Sequence, residues 1–269
     1  MSQTSIILNG TIITQDVYTE KAAEFYEVIR VKNRALLFLE DHITRLNHSL
    51  KMANIDKTFA IEAVQADFAK LFAADGINNQ NVKLSVSFEN GHLSCALYYI
   101  ESVYLNEDIY KNGVQVKTKS FERENPKVKQ RTIAMQTIRK QLQLDQVYEY
   151  LLVNREGLLL EGTKTNVFFV KGTQVITADT RRVLGGITRQ HVADLARTHS
   201  DFTESSFTKT DLKEAEAVFL TGTSIGILPV CTVDDINYNS ANNPIVLSLM
   251  KAYERWENTY IETHQLPGD

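Results

Sequence analysis

The sequence has little of what marks secreted, membrane-spanning or nucleic-acid-binding proteins. Only two cysteines, Cys95 and Cys231, occur in 269 residues, and they lie far apart, which excludes a disulfide framework and favours a reducing compartment. No run of about 18 apolar residues is present, and the N-terminal residues lack the basic start and apolar stretch of a secretory signal. The formal net charge of −4 argues against nucleic acid as a partner. The six histidines show no metal-ligand spacing, so no metal site is predicted and a cytoplasmic globular protein is expected.

Apolar runs and turn residues predict an α+β fold with two domains. In the small N-terminal α+β domain, residues 1–116, the pair Asn9-Gly10 separates two apolar runs and predicts a β-hairpin. A strand is predicted over residues 34–39, and two helices with apolar faces follow it. A second hairpin is predicted to turn near Asn90-Gly91.

The second half of the sequence predicts a larger, mixed α/β domain. Residues 117–125 are polar and charged and precede Pro126, so we expect them to link the two domains. Residues 126–269 then contain a helix, a series of β-branched and aromatic runs separated by glycines, and a helix over 187–199. A further strand and a long amphipathic helix complete the prediction.

The loop VLGGITR is the first candidate for a binding function. Gly185 and Gly186 enter a predicted helix, and the first N–H groups of a helix have no partner within it. Such a helix start binds phosphate, assisted here by the hydroxyl of Thr188. The alternative is a tight loop before an ordinary helix, because the motif is neither a P-loop nor a dinucleotide fingerprint.

A second candidate turn, Gly222 to Gly226, matches the GxSxG pattern of a serine-hydrolase nucleophile elbow. That elbow requires a helix after Ser224, and the following residues, with Pro229 and several β-branched side chains, do not predict one. A turn rich in N–H and hydroxyl donors is better suited to holding an anion.

A carboxylate and a lysine complete the set of candidates. Glu161 follows an apolar run in a predicted strand, which suggests a specific cationic partner, although a glutamate at a sheet edge is the alternative. Lys129 lies three residues after Pro126 at the start of a predicted helix. It is either an ordinary surface lysine or an amine held in a pocket that favours its nucleophilic, neutral form. Together with two anion-binding turns, these are the parts that a pyridoxal phosphate site requires.

These motifs resemble those of the class IV, fold-type IV pyridoxal-phosphate enzymes, which include branched-chain and D-amino-acid aminotransferases and aminodeoxychorismate lyase. NREGLLLEGTKTNVFF, VLGGITR and AVFLTGTSIGILPV occur in the order of that family's central signature. FYEVIRV and LEDHITRLNHSL are similar to its small-domain pattern. The resemblance implies a D-amino-acid aminotransferase-like fold, pyridoxal 5'-phosphate as cofactor, and a homodimer.

The resemblance also implies roles for individual positions. Lys129 is the implied Schiff-base and proton-transferring lysine, with Lys127 as the competing choice, and Glu161 is the implied partner of the pyridine nitrogen. The phosphate is implied to be held by Arg45, Ile187, Thr188 and Thr223, and the substrate to meet Tyr26, Ser224 and Ile225.

The sequence departs from the family at the positions that face the substrate. Residues 21–24 replace a glycine-rich run, residues 87–91 replace a TRG-like stretch, and Ala134 stands where aminotransferases often have tyrosine. We therefore predict an aminotransferase that acts on an unidentified amino acid of L or D configuration. The alternatives are aminodeoxychorismate lyase, which releases pyruvate, and a non-catalytic descendant that keeps the fold as a binding module.

Overall fold

The fold was analysed in a computed structural model, which describes residues 5–21, 24–89, 91–102 and 104–267. The chain divides into two compact units. Unit 1 comprises residues 1–103, 128–133 and 257–269, and unit 2 comprises residues 104–127 and 134–256. Both units combine helices with strands, which confirms the predicted α+β fold class.

Unit 1 contains an antiparallel sheet. Its strands are β1 (Ser5–Leu8), β2 (Thr11–Thr14), β3 (Phe25–Lys32), β4 (Ala35–Leu36), β5 (Asn81–Glu89) and β6 (His92–Tyr99). They are ordered β2-β1-β6-β5-β3-β4. The predicted first hairpin is confirmed, because Asn9 and Gly10 both adopt positive φ, at 50° and 81°. At the second hairpin Gly91 has φ of 79°, whereas Asn90 lies outside the described residues.

Two helices supply the core on one face of this sheet. They are α1 (Leu39–Met52) and α2 (Ile61–Asp75), and each buries one apolar face. The strand predicted over residues 34–39 is wrong for most of its length. Only Ala35–Leu36 pairs with β3, because Phe38 adopts a left-handed conformation, with φ of 54°, that turns the chain directly into α1.

Unit 2 contains a larger mixed sheet and most of the remaining elements. In chain order the elements are α3 (Glu107–Asn112), β7 (Val114–Ser120), α4 (Ile133–Leu144), β8 (Glu149–Val153), β9 (Leu159–Gly162), β10 (Asn166–Lys171), β11 (Gln174–Thr177), α5 (Ile187–His199), β12 (Asp201–Glu204), β13 (Ala217–Gly222), β14 (Gly226–Val233), β15 (Ile236–Asn237) and α6 (Pro244–Thr263). The first residue of α4 and residues 257–263 of α6 belong to unit 1. The sheet order is β12-β11-β10-β13-β14-β7-β8-β9, with β15 paired to β14. Strand β9 also pairs with β10 through Glu161 and Asn166, so the sheet closes on itself at these two residues.

The boundaries of the units differ from those expected from the sequence. Residues 117–125 were expected to form a linker, yet Val114–Ser120 is a strand that lies between β14 and β8. The stretch is polar in sequence because one side of β7 is exposed, while Val114 and Val116 on its other side are buried. Residues 128–133, expected in the second domain, belong to unit 1.

Helix α6, the longest at 20 residues, carries charged side chains along one side. Within the described part of the chain, no helix combines the length and apolar character needed to cross a membrane.

Candidate active site

Lys129 lies in unit 1, on a segment that pairs with the beginning of β3. The N–H of Tyr26 donates to the carbonyl oxygen of Lys129 at 3.2 Å, and the N–H of Arg131 donates to that of Glu24 at 2.9 Å. The N–H of Lys129 donates to Oγ of Ser49 on α1 at 3.3 Å. Lys129 was expected to begin a helix, but α4 begins only at Ile133.

The side chain of Lys129 is directed at an aromatic ring. Its Nζ lies 4.8 Å from the ring centroid of Tyr26, a geometry in which a cation is attracted to the ring face. The structure therefore brings together two of the residues predicted from the sequence, the candidate nucleophile and the candidate substrate-facing aromatic residue.

The competing lysine is engaged elsewhere. Nζ of Lys127 donates to the carbonyl oxygen of Thr180, within unit 2. Nζ of Lys119 donates to the amide oxygen of Gln141 at 2.9 Å. Among these neighbouring lysines, Lys129 is the one that the structure places against Tyr26.

Arg45 lies on α1, four residues before Ser49, and is held by a buried carboxylate that the sequence analysis missed. Glu27, on β3, is fully buried and accepts a hydrogen bond from Nε of Arg45 at 2.8 Å and a second from its terminal nitrogen. Nδ1 of His42 lies 2.7 Å from the same carboxylate. His42, Arg45 and Ser49 are spaced by three and four residues, which places them on one side of α1. That spacing was the available signal for this polar strip.

Burial and charge act in opposite directions on Glu27. Burial alone would raise the pKa of its carboxyl group, but the charge and hydrogen bonds of Arg45, with those of His42, lower the pKa to about 2. Burial lowers the pKa of His42, against the effect of Glu27. His42 is therefore neutral near pH 7, and because a carboxylate only accepts hydrogen bonds, Nδ1 carries the proton. Among the described residues, no partner is found for its buried Nε2.

A second buried charge pair lies on the sheet face that carries Tyr26. Glu24, which is fully buried, contacts Nζ of Lys83 and the hydroxyl of Ser85. The strand register explains the cluster, since Tyr26 pairs with Ser85 and Val28 pairs with Lys83, so these side chains share one face. Nζ of Lys83 lies 5.2 Å from the ring centroid of Tyr26.

Glu161 lies in unit 2, buried at the end of β9, and it has the cationic neighbour that its position suggested. Nε of Arg123 is 3.1 Å from Oε1 of Glu161. Oε2 accepts a hydrogen bond from the N–H of Leu184 at 3.2 Å, and Nδ2 of Asn166 lies 3.4 Å from it. The carboxylate is only 3% exposed, so the interpretation as a glutamate at an exposed sheet edge is wrong.

The loop that follows Leu184 leads into α5, as predicted. Helix α5 begins at Ile187, and Ile187 and Thr188 are both nearly fully buried. The residue before the helix is Gly186, which has no side chain to cap the first N–H groups, and the first turn contains no acidic residue. A Cβ atom at Gly186 would lie 2.0 Å from Oδ1 of Asn166, so only glycine allows this close approach.

The turn from Gly222 to Gly226 joins two antiparallel strands. Gly222 pairs with Gly226, and the N–H of Ile225 donates to the carbonyl oxygen of Gly222 at 3.1 Å. Thr223 and Ser224 occupy the tip of this hairpin, and strand β14 begins two residues after Ser224, at Gly226. A nucleophile elbow needs a helix at this point, so the hydrolase interpretation is wrong.

The pattern of motifs is that of a known family. A family model described as amino-transferase class IV matches residues 24–233 of the 269 residues. The chain belongs to the class IV aminotransferases. D-Alanine aminotransferase of Bacillus licheniformis is 28% identical to it over 243 residues, covering 85% of this chain and 86% of that protein. The probable branched-chain-amino-acid aminotransferase of Thermotoga maritima is 27% identical over 239 residues, covering 85% of this chain and 84% of that protein.

Solved structures share the fold of this class IV aminotransferase. Branched-chain aminotransferase from Thermoproteus uzoniensis, solved with norvaline, superposes with a TM-score of 0.85 at 21% identity over 98% of this chain and 97% of that one. Another branched-chain amino acid aminotransferase, solved with pyridoxamine 5'-phosphate, gives a TM-score of 0.85 at 20% identity over 97% of this chain and 96% of that one. The enzyme from Escherichia coli gives 0.83 at 18% identity over 94% of each chain.

Class IV aminotransferases are pyridoxal-phosphate-dependent enzymes, and the residues of unit 2 fit that cofactor. A buried carboxylate can hold a proton on a ring nitrogen, and an uncapped helix start can hold a phosphate. The N–H of Leu184 joins Glu161 to the loop that leads into this helix start. Thr221, at the end of β13, has a buried hydroxyl for which no partner is found among the described residues. No group of three or more His, Cys, Asp or Glu side chains suited to a metal ion occurs in the same set.

Proposed function

We propose that the protein is a pyridoxal-phosphate-dependent aminotransferase in which Lys129 is the Schiff-base lysine. The observation that carries this assignment is the environment of the two competing lysines. Lys129 is fixed by backbone hydrogen bonds and directs Nζ at Tyr26, whereas Nζ of Lys127 is bound to the carbonyl oxygen of Thr180.

The bound cofactor supplies an aldehyde that condenses with an amine and a protonated ring that accepts electrons from the substrate's α-carbon. In this proposal Glu161 holds the proton on the ring nitrogen. Arg123 and the N–H of Leu184 orient the carboxylate of Glu161 for this contact. Lys129 moves a proton at the substrate α-carbon.

The phosphate is assigned to N–H and hydroxyl donors. The N–H groups of Ile187 and Thr188 at the start of α5 would donate to it, with the hydroxyls of Thr188 and Thr223. Arg45 is the proposed cationic contact, and its guanidinium is oriented by Glu27 in two hydrogen bonds.

The amino-acid substrate is assigned to Tyr26, Ser224 and Ile225. The relatives are named D-alanine and branched-chain aminotransferases. Transamination is favoured over the lyase reaction because both of these relatives are named aminotransferases. We further propose that the protein is cytoplasmic and forms a homodimer. Light scattering of the purified protein tests the dimer.

The half-reaction tests this proposal. The protein loaded with pyridoxal 5'-phosphate is mixed with single D- and L-amino acids in the absence of an acceptor. An aminotransferase loses the yellow absorbance as the amino group passes to the cofactor. Addition of a keto acid then restores the absorbance. Aminodeoxychorismate is added in a separate reaction, and pyruvate release from it with unchanged absorbance would identify a lyase instead. Absorbance that no amino acid alters, with no pyruvate released from aminodeoxychorismate, would identify a non-catalytic descendant and contradict the proposal.

A further inference from the structure

A second buried glutamate in unit 2, Glu149, has no part in the proposed reaction. Glu149 begins β8, and its side chain is fully buried. Its Oε1 accepts hydrogen bonds from the N–H of Tyr150 at 2.9 Å and from the N–H and hydroxyl of Thr163 at 3.0 and 2.6 Å. Its Oε2 accepts from the N–H of Lys164 at 3.1 Å and the hydroxyl of Thr165 at 3.0 Å. Buried charge is costly unless it is fully hydrogen-bonded, and five donors meet this carboxylate.

These contacts fold residues 162–165 into a turn around the carboxylate. The N–H of Gly162 donates to the carbonyl oxygen of Thr165 at 2.8 Å, which closes the turn. A Cβ atom at Gly162 would lie 2.8 Å from Oε2 of Glu149 and 2.2 Å from the hydroxyl of Thr165. The glycine is therefore needed because the turn packs directly on the carboxylate.

The turn separates the two residues at which the sheet closes, Glu161 and Asn166. Nδ2 of Asn166 donates to the carbonyl oxygen of Leu184 at 3.1 Å and lies 3.4 Å from the Glu161 carboxylate. Asn166 Oδ1 also occupies the space beside Gly186. One amide side chain thus fixes the candidate ring-nitrogen partner and the loop before α5 relative to each other.

A second connection runs through arginine. The carbonyl oxygen of Thr163 accepts hydrogen bonds from a terminal nitrogen of Arg123 at 3.1 Å and from Arg139. The Nε atom of the same Arg123 lies 3.1 Å from Oε1 of Glu161. Both oxygens of Glu161 are therefore oriented by groups that depend on the 162–165 turn.

We propose that Glu149 is a positioning residue for the cofactor site, which it controls through the 162–165 turn. The inference rests on the proposed function, since it assigns to Glu149 the orientation of Glu161 and of the loop before α5. Each oxygen of Glu149 accepts from at least one backbone N–H, and a glutamine amide would present N–H groups in place of one of these oxygens.

Hydrogen–deuterium exchange of the apoprotein tests the positioning without the cofactor. The Leu184 amide donates to Glu161 and is remote in sequence from residue 149. E149Q is expected to accelerate exchange of this amide about 10-fold or more, since buried donors left without an acceptor destabilise the turn. The control D211N removes a carboxylate that accepts from the N–H and hydroxyl of Thr208, both at 2.7 Å, and is expected to leave Leu184 unchanged.

A purely structural role predicts a different pattern. If Glu149 only stabilises the sheet, E149Q accelerates exchange of the Leu184 amide no more than exchange of the β13 amides. That uniform change would overturn the proposal. An unchanged Leu184 amide would overturn it too. Should E149Q not fold, T165V removes a single donor to Glu149, and faster exchange at Leu184 than in β13 is again the expected result.

Cofactor binding provides the second measurement. E149Q is expected to bind pyridoxal 5'-phosphate about 10-fold more weakly and to shift the pH profile of the bound cofactor's absorbance, whereas D211N does neither. Unaltered affinity and profile would contradict the positioning role. If the unmodified protein binds no cofactor, the proposed function fails, and the exchange experiment still decides whether Glu149 orients Glu161.

Discussion

Removing the charge of Glu27 is expected to destabilise unit 1 in a pH-dependent manner. Glu27 is fully buried and paired with Arg45 and His42. The substitution E27Q keeps the shape of the side chain but leaves the Arg45 guanidinium, which is about 10% exposed, without its counter-ion. Breaking one side of a buried ion pair is costly because the other charge stays buried.

The magnitude follows from the pKa of Glu27. It falls from a reference of 4.5 to about 2 in the folded protein, although burial opposes the decrease and Arg45 and His42 cause it. At about 1.4 kcal/mol per pH unit, this difference corresponds to about 3 kcal/mol of folding free energy. Because the folded pKa is the lower one, the unfolded chain takes up the proton first. The contribution is complete above pH 4.5 and is lost as the pH falls towards 2.

Urea unfolding followed by circular dichroism measures this contribution. At pH 7 the apoprotein of E27Q is expected to be about 3 kcal/mol less stable than the unmodified protein, and less than half of this difference should remain at pH 3. E107Q is the control, since Glu107 pairs with Lys111 in an exposed i,i+4 contact, and its stability should be nearly unchanged. A difference for E27Q that is equally large at pH 7 and pH 3 would refute the reasoning.

Three further outcomes are expected in unit 2. G186A places a Cβ atom 2.0 Å from Oδ1 of Asn166, so we expect the free energy of unfolding, measured with heat or urea, to fall by about 1–3 kcal/mol. Cofactor binding is expected to weaken as well. The control G185A, whose Cβ atom meets a flexible side chain at 3.3 Å, is expected to change neither quantity. E161Q keeps bound cofactor but loses most turnover in steady-state assays, since an unprotonated ring is a poor electron sink, and full activity would contradict its role. Ser224 is expected to resist labelling by a fluorophosphonate, because no helix follows it.

The sequence predicted those parts of the fold that local patterns determine. The hairpin at Asn9-Gly10 follows from the tolerance of both residues for positive φ, and α5 was predicted over its observed residues, Ile187–His199. Strand β7 was missed because its alternation of buried and exposed side chains resembles a polar linker. Its burial depends on β14 and β8, which are distant in sequence.

The candidate site shows the same division between local and long-range information. Glu161 was selected because a carboxylate after an apolar run needs a partner, but its partner Arg123 lies 38 residues earlier in the chain. Glu27 was passed over although it lies within the apolar run FYEVIRV, because the alternation of a strand does not by itself show which face is covered. Its contacts arise only when α1 packs on β3 and brings His42 and Arg45 to it.

The central claim is that the ε-amine of Lys129 forms the covalent bond with the cofactor. The direct measurement is peptide mass spectrometry after the protein, supplied with excess pyridoxal 5'-phosphate, is reduced with borohydride. A pyridoxyl group on Lys129, absent from the reduced K129A protein and retained in K127A, is the predicted result. A pyridoxyl group on Lys127 in its place, or no adduct on either lysine, would contradict the account.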